Sequence, residues 1–151
     1  MIELVEYSDE LKDEVFRFTS ECFTELGKEF EPEGRHGFYK RISSYFAGFW
    51  WLVDSGRVVG TVAISRLDES TCELNSLYVD SSYRGQGLGF KLFDHAVVFA
   101  RSSGFDRVVL DSMSKYESAG RLYRRYGFTD TDRYNDNVYA DVFMEMKLTN
   151  I

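Results

Sequence analysis

Residues 84–89, Arg84-Gly85-Gln86-Gly87-Leu88-Gly89, place three glycines at alternate positions. They follow a run of β-prone residues, 74–79, that Asp80, Ser81 and Ser82 interrupt. A helical pattern succeeds them at Leu88, Leu92, Ala96, Phe99 and Ala100. Glycine tolerates positive φ and lets another molecule approach the backbone closely. Successive N–H groups in such a turn converge into an anion-binding nest. The helix behind contributes free donors and the positive end of its dipole, and Arg84 adds a cation. The natural guest is a phosphate or pyrophosphate, although a strand-to-helix turn with no ligand uses the same residues. A Rossmann turn is excluded because the place of its third glycine holds Phe90 and no paired βαβ halves surround it. A P-loop is excluded because its Gly-Lys-Ser/Thr ending is missing.

Other reactive side chains are sparse. No His, Cys or carboxylate cluster has metal-ligand spacing, so no metal is expected. Ser112 and Ser114 lack a partnered base. His95 lies beside the apolar stripe of the central helix and reads as structural. His36, in a loop next to Arg35, is a candidate pocket residue. Glu25, Glu29, Glu31 and Glu33 form an acidic run that reads as a solvated face or as an attractor for a cationic amine.

The elements that must hold the glycine turn can be read along the chain. Residues 2–7 suggest a strand. Ser8 is a candidate N-cap for a helix whose stripe is Leu11, Val15, Phe18, Cys22 and Leu26, with Gly27 as its stop. After a loop at 28–37, a short helix is expected from Phe38 to Phe46. Phe49–Val53, Val58–Ile64 and 72–79 predict an antiparallel meander, turned at Asp54-Ser55-Gly56 and at Leu67–Ser70. Gly60 suggests a bulge or a close approach. After the central helix, Arg107–Asp111 predicts a strand parallel to 72–79 through a right-handed crossover. A helix over 116–126 carries Ala119, Leu122, Tyr123 and Tyr126 on one face and ends at Gly127. Strands near 128–133 and 139–148 flank a loop at Tyr134–Asn137.

The chain has 151 residues, 44% hydrophobic and 17% aromatic, with one Pro. That predicts a single domain over 1–151 with a real core. No segment approaches the ~18–20 apolar residues of a membrane span, and the acidic start lacks a signal-peptide core. Cys22 and Cys72 are expected as reduced thiols in a cytoplasmic protein. The formal net charge of −7 argues against a nucleic-acid partner.

The glycine turn resembles the coenzyme A loop of the GNAT N-acetyltransferase superfamily. That loop reads Arg or Gln, two residues, Gly, one residue, then Gly or Ala; Arg84, Gly87 and Gly89 match it. A second family signature, A-x-x-L-Y-x-x-x-G-F, is matched by Ala119, Leu122, Tyr123, Gly127 and Phe128. The order of elements is also similar to that family's. The resemblance implies an α/β (α+β) GNAT fold, with a mixed, mostly antiparallel sheet of about six to seven strands flanked by about four helices.

It also implies chemistry: transfer of an acetyl group from acetyl-CoA to a primary amine of a small molecule or peptide, by direct attack in a ternary complex. The cofactor-binding residues implied are Arg84, Gly85, Gln86, Gly87, Leu88 and Gly89, with backbone N–H groups of Leu77, Tyr78 and Val79 near the acetyl carbonyl. Tyr123 is implied as the proton donor to the leaving thiolate, since a phenol of pKa ~10 is neutral at pH 7. Glu73 stands where some members place a catalytic glutamate, and equally suits a solvated strand start. Many members have Asn where this chain has Tyr116, at a contact to the pantetheine arm. A non-catalytic acyl-CoA-binding or regulatory module on the same fold is the alternative. The aromatic-rich segments Tyr45–Trp51 and Tyr134–Phe143 suggest a homodimer contact.

Overall fold

Phe49-Trp50-Trp51-Leu52 and Val58–Ile64 are apolar at nearly every position, and the structure shows why: both faces of these strands are covered. The computed structural model describes residues 1–148 of the chain. Its elements are β1 (Ile2–Glu6), α1 (Lys12–Glu25), α2 (Ile42–Tyr45), β2 (Gly48–Asp54), β3 (Arg57–Arg66), β4 (Thr71–Val79), α3 (Leu88–Ser102), β5 (Arg107–Ser112), α4 (Glu117–Tyr126), β6 (Thr129–Asp130) and β7 (Val142–Lys147). They form one seven-stranded sheet in the order β1-β2-β3-β4-β5-β7-β6. Only β4 and β5 run parallel; every other neighbouring pair is antiparallel.

Alternate residues of the sheet feed two cores. Trp50, Leu52, Val59 and Ile64 join Leu92, Phe93, Ala96 and Val97 of α3 on one face, with Tyr123 and Phe128. Phe49, Trp51, Val58 and Ala63 join Val15, Phe18 and Cys22 of α1, with Tyr39, Ile42 and Phe46, on the other. Burying each large side chain contributes about 1.5–3 kcal/mol. Cys22 and Cys72 are therefore free, buried and in different cores. Burial raises both thiols to about 12. The surplus of aromatics at 45–51 is largely consumed here: Phe46, Phe49, Trp50 and Trp51 are buried within the chain. Tyr45, Val138 and Tyr139 remain exposed.

Several boundaries differ from the sequence reading for local reasons. Ser8 is extended but makes no side-chain cap; a single 3-10 turn, Asp9–Leu11, precedes α1. The helix expected at 38–46 is a 3-10 turn, Gly37–Arg41, followed by the one-turn α2. There Tyr39, Ile42 and Phe46 must all turn into the α1-side core. The strand expected at 128–133 is only β6. Arg133 folds the chain back by donating to the carbonyls of Asn137 (3.0 Å) and Ala140 (2.9 Å), so 131–141 loops and β7 starts at Val142.

Close approach explains two glycines. A Cβ on Gly60 would stand 2.9 Å from Leu52 Cδ1 and 3.1 Å from Leu92 Cδ1, so α3 seats directly on β3. A Cβ on Gly48 would collide with the indole of Trp50, which is held edge-on by Phe99 and His95. A Gly-to-Ala change usually stabilises by about 0.4–1 kcal/mol through the unfolded state. Gly48→Ala should instead destabilise by about 1–3 kcal/mol, the cost of overpacking. Gly120→Ala, in α4 with open space around the Cβ, should stabilise by about 1 kcal/mol. Urea unfolding of the two variants checks the opposite signs.

Candidate active site

The site begins at an irregularity in β4. Thr61 pairs with Tyr78, but Ala63 pairs with Asn75, so β4 carries one extra residue. That residue is accommodated at Ser76, whose φ of +56° is left-handed and unusual for a non-glycine. Two side chains hold it there. Thr61 Oγ1 donates to the Ser76 carbonyl at 2.7 Å, and the Tyr39 and Ser76 hydroxyls share a hydrogen bond of 2.6 Å. The parallel ladder to β5 ends just before the bulge, at Glu73 opposite Val109. From Leu74 to Val79 the edge of β4 that faced β5 has no strand partner among the described residues. The strands part around a cleft of about 590 Å³.

Of the residues picked out from the sequence, Glu73, Leu77, Tyr78 and Tyr123 line this cleft. Tyr123 projects from α4, 8% exposed, with its ring stacked on Phe93 at 5.4 Å. Burial pushes its hydroxyl up to about 12, aided by the charge of Asp111 and opposed by Ser112. It stays a protonated donor throughout the neutral range. Glu73 accepts hydrogen bonds from Tyr134 Oη (2.6 Å) and Asn75 Nδ2 (3.2 Å). Asn135 Nδ2 donates to Asp111 at 2.7 Å and reaches the Glu73 oxygen held by Tyr134 at 3.5 Å. Burial and the neighbouring Asp111 raise the Glu73 carboxyl above its ordinary value, against the pull of Tyr134.

Val79 and the glycine turn lie outside the cleft, at the far end of β4. Gly85 (φ +81°) and Gly87 (φ +76°) are left-handed, and a Cβ on either would meet nothing within 4 Å. Gly87 caps α3 with no side-chain bond. The N–H groups of 85–90 find no acceptor among the described residues beyond the turn itself. Gly89 has ordinary φ, and its nearest neighbour would be Val79 Cγ2 at 3.9 Å. Among the described residues nothing crowds a Cβ at 89, so the backbone there is open to close approach. The cradle fits a diphosphate. Arg84, however, is paired with Glu25 at the end of α1, 2.7 Å away.

Sequence reasoning missed Tyr39, Thr61 and Ser76, which build the bulge, and Asp111, Tyr134 and Asn135, which surround Glu73. None carries a motif; only the polar loop Tyr134-Asn135-Asp136-Asn137 stood out. Tyr116 lines the cleft, its hydroxyl buried and without a partner among the described residues. His36 also lines the cleft. Its Nδ1 accepts the Glu31 N–H at 2.9 Å, and burial with Arg35 lowers its pKa, so it presents Nε2–H as a donor. His95 instead packs on Trp50, 5.1 Å between centroids. In the acidic run, Glu25, Glu31 and Glu33 pair with Arg84, Arg35 and Lys40, and Glu29 reaches the cleft.

The Acetyltransferase (GNAT) family model matches residues 12–128, and the chain belongs to that family. It is 40% identical over 81 residues to N-acetylaspartate synthetase of Danio rerio, across 53% of this chain and 29% of that protein. It is 36% identical over 97 residues to human N-acetyltransferase 8B, across 61% of this chain and 43% of that protein. The chain thus matches less than half the length of either relative. A GNAT acetyltransferase of Staphylococcus aureus superposes with a TM-score of 0.86 at 23% identity, covering 99% of this chain and 100% of that one. A GNAT acetyltransferase of Brucella melitensis, solved in complex with acetyl-CoA, gives 0.74 at 19% identity, covering 99% and 90%. The fold is the GNAT fold. Among the described residues, no helix is long and apolar enough to cross a membrane.

Two outcomes are expected. Gly89→Val should leave the apo fold intact yet abolish thermal stabilisation by acetyl-CoA, which for a bound ligand at 100 times Kd is about 2.7 kcal/mol; Gly87 is a poorer probe because its left-handed φ would strain any valine. Second, Glu73 resists ionisation in the fold but ionises freely near 4.5 when unfolded. Wild type should therefore lose stability relative to Glu73→Gln as pH rises from 4.5 towards neutrality. Melting temperatures of both proteins across that range measure the difference.

Proposed function

We propose that this domain transfers an acetyl group from acetyl-CoA to a primary amine within a ternary complex. The observation that carries the reading is the parting of β4 from β5 directly beside Tyr123. The glycine cradle and the first turn of α3 would hold the diphosphate, and acetyl-CoA would supply the activated acetyl group. The unpartnered edge of β4 at Leu77–Val79 offers backbone donors to a carbonyl oxygen as charge builds on it. One preorganised donor of this kind contributes about 3–4 kcal/mol to the transition state.

Tyr123 is the general acid, giving its hydroxyl proton to the departing sulfur. Glu73 is the base, taking the proton of the incoming ammonium directly or through water. Its raised pKa makes it a better acceptor than an exposed glutamate. Tyr134 and Asn135 hold the carboxylate in place. The rival reading, a non-catalytic acyl-CoA-binding module, draws on Tyr116 in the place where many members have Asn. It predicts cofactor binding without release of thiol in the presence of any amine.

Tyr123→Phe keeps the ring stacked on Phe93 and deletes only the hydroxyl. It should bind acetyl-CoA normally while kcat falls about 10²-fold, within the usual range of general acid catalysis. Steady-state kinetics with thiol detection checks this. A kcat within about twofold of wild type, where chemistry limits the rate, would return Tyr123 to a packing role.

A further inference from the structure

The cleft contains opposite charges that do not neutralise one another through direct pairing. Lys28 lines it and makes no ion pair among the described residues. Its ammonium lies 5.8 Å from the centroid of the Tyr116 ring. The backbone that carries Lys28 is fixed by the end of α1. Gly27 is left-handed (φ +73°), Gly27 N–H donates to Thr24 at 3.1 Å, and Lys28 N–H donates to Phe23 at 2.8 Å. That pair of bonds is a Schellman cap, which sets the direction of the chain leaving the helix. Burial disfavours the charged form of Lys28, while the charge of Asp111 supports it.

Glu73 and Asp111 line the same cleft, tied together through Asn135. Neither forms an ion pair with a cation among the described residues; their partners are neutral amides and the Tyr134 hydroxyl. A half-buried cation and half-buried carboxylates in one cleft without direct pairing are a costly arrangement. A ligand with complementary charges at its two ends relieves both sides. A plain cationic amine would satisfy the carboxylates and be repelled by Lys28.

Resting on the transferase reading above, we infer that the acceptor is a small amino acid: its amine faces Glu73 and Asp111, and its free carboxylate is held by Lys28. The Tyr116 hydroxyl, buried without a partner among the described residues, is a second donor beside Lys28. The chemistry is that of the proposed transfer. The amine loses a proton to the Glu73 side, its lone pair forms the amide bond, the C–S bond of the thioester breaks, and the thiolate takes up a proton.

The test uses the intact chain with acetyl-CoA and thiol detection. Each proteinogenic amino acid is compared with its carboxamide and its decarboxylated amine. The best free acid should exceed its own amide and amine in kcat/KM by about tenfold or more, the range of one charge-assisted hydrogen bond. Lys28→Gln should raise the KM of that acid by a similar factor and leave the KM of acetyl-CoA unchanged, and Lys28→Arg should restore much of the loss. Equal or better turnover of the amides or amines overturns the inference and leaves the transferase reading standing. A Lys28→Gln effect confined to the KM of acetyl-CoA also overturns it, by assigning Lys28 to the cofactor. Absence of thiol release with every acceptor sinks the transferase reading itself and this inference with it.

Discussion

The structure depends on a single backbone event, the left-handed turn of Ser76 inside β4. An extra residue on one strand bends it and increases its twist. Here it accompanies the loss of β4's ladder with β5 after three paired positions. Holding a non-glycine residue there costs on the order of 1 kcal/mol or more. The Thr61 and Tyr39 hydrogen bonds, each contributing about 1 kcal/mol net, offset that cost. Without the bulge, β4 and β5 could stay in register, and the cleft with its unpartnered strand edge would have no reason to form.

The two tyrosine hydroxyls beside β4 come from opposite cores. Tyr39 belongs to the α1 side, in the same cluster as Phe18, Ile42 and Trp51. Tyr123 belongs to the α3 side, stacked on Phe93. The apolar packing of two helices on opposite faces of the sheet therefore fixes the positions of two hydroxyl groups across β4. This arrangement suits a site that must hold donors in place while its own backbone lacks a ladder.

The polar wall has a different logic. Glu73 and Asp111 are like charges in a poorly solvated place, which raises the cost of ionising Glu73. The segment between β6 and β7 supplies the donors that make this tolerable. Arg133 coils that segment by binding its own carbonyls and covers Phe143, 4.5 Å from the ring centroid. Tyr134 and Asn135 are thereby presented to the carboxylates. Two regular strands over these residues would take the Tyr134, Asn135 and Asn137 donors away from the two carboxylates and leave Glu73 its bond from Asn75.

Much of the fold and part of the candidate site's framework were legible along the chain because they rest on local physics. The glycine turn, the helical stripe that includes Tyr123, the meander and the parallel return at Arg107 each follow from spacing and turn chemistry within a few residues. The contacts that shape the cleft are of another kind. Tyr39 meets Ser76 across 37 residues of sequence, Thr61 meets Ser76 across 15, and Tyr134 meets Glu73 across 61. The same holds for boundaries: packing of Tyr39, Ile42 and Phe46 replaced an expected helix with short turns, and Arg133 shortened an expected strand. Local preferences along a chain specify elements, which the sequence determined by itself. Which polar groups face one another in a cleft, and which strand gives up its ladder, is decided only when distant segments pack, because no neighbour in sequence bears the energy of those contacts.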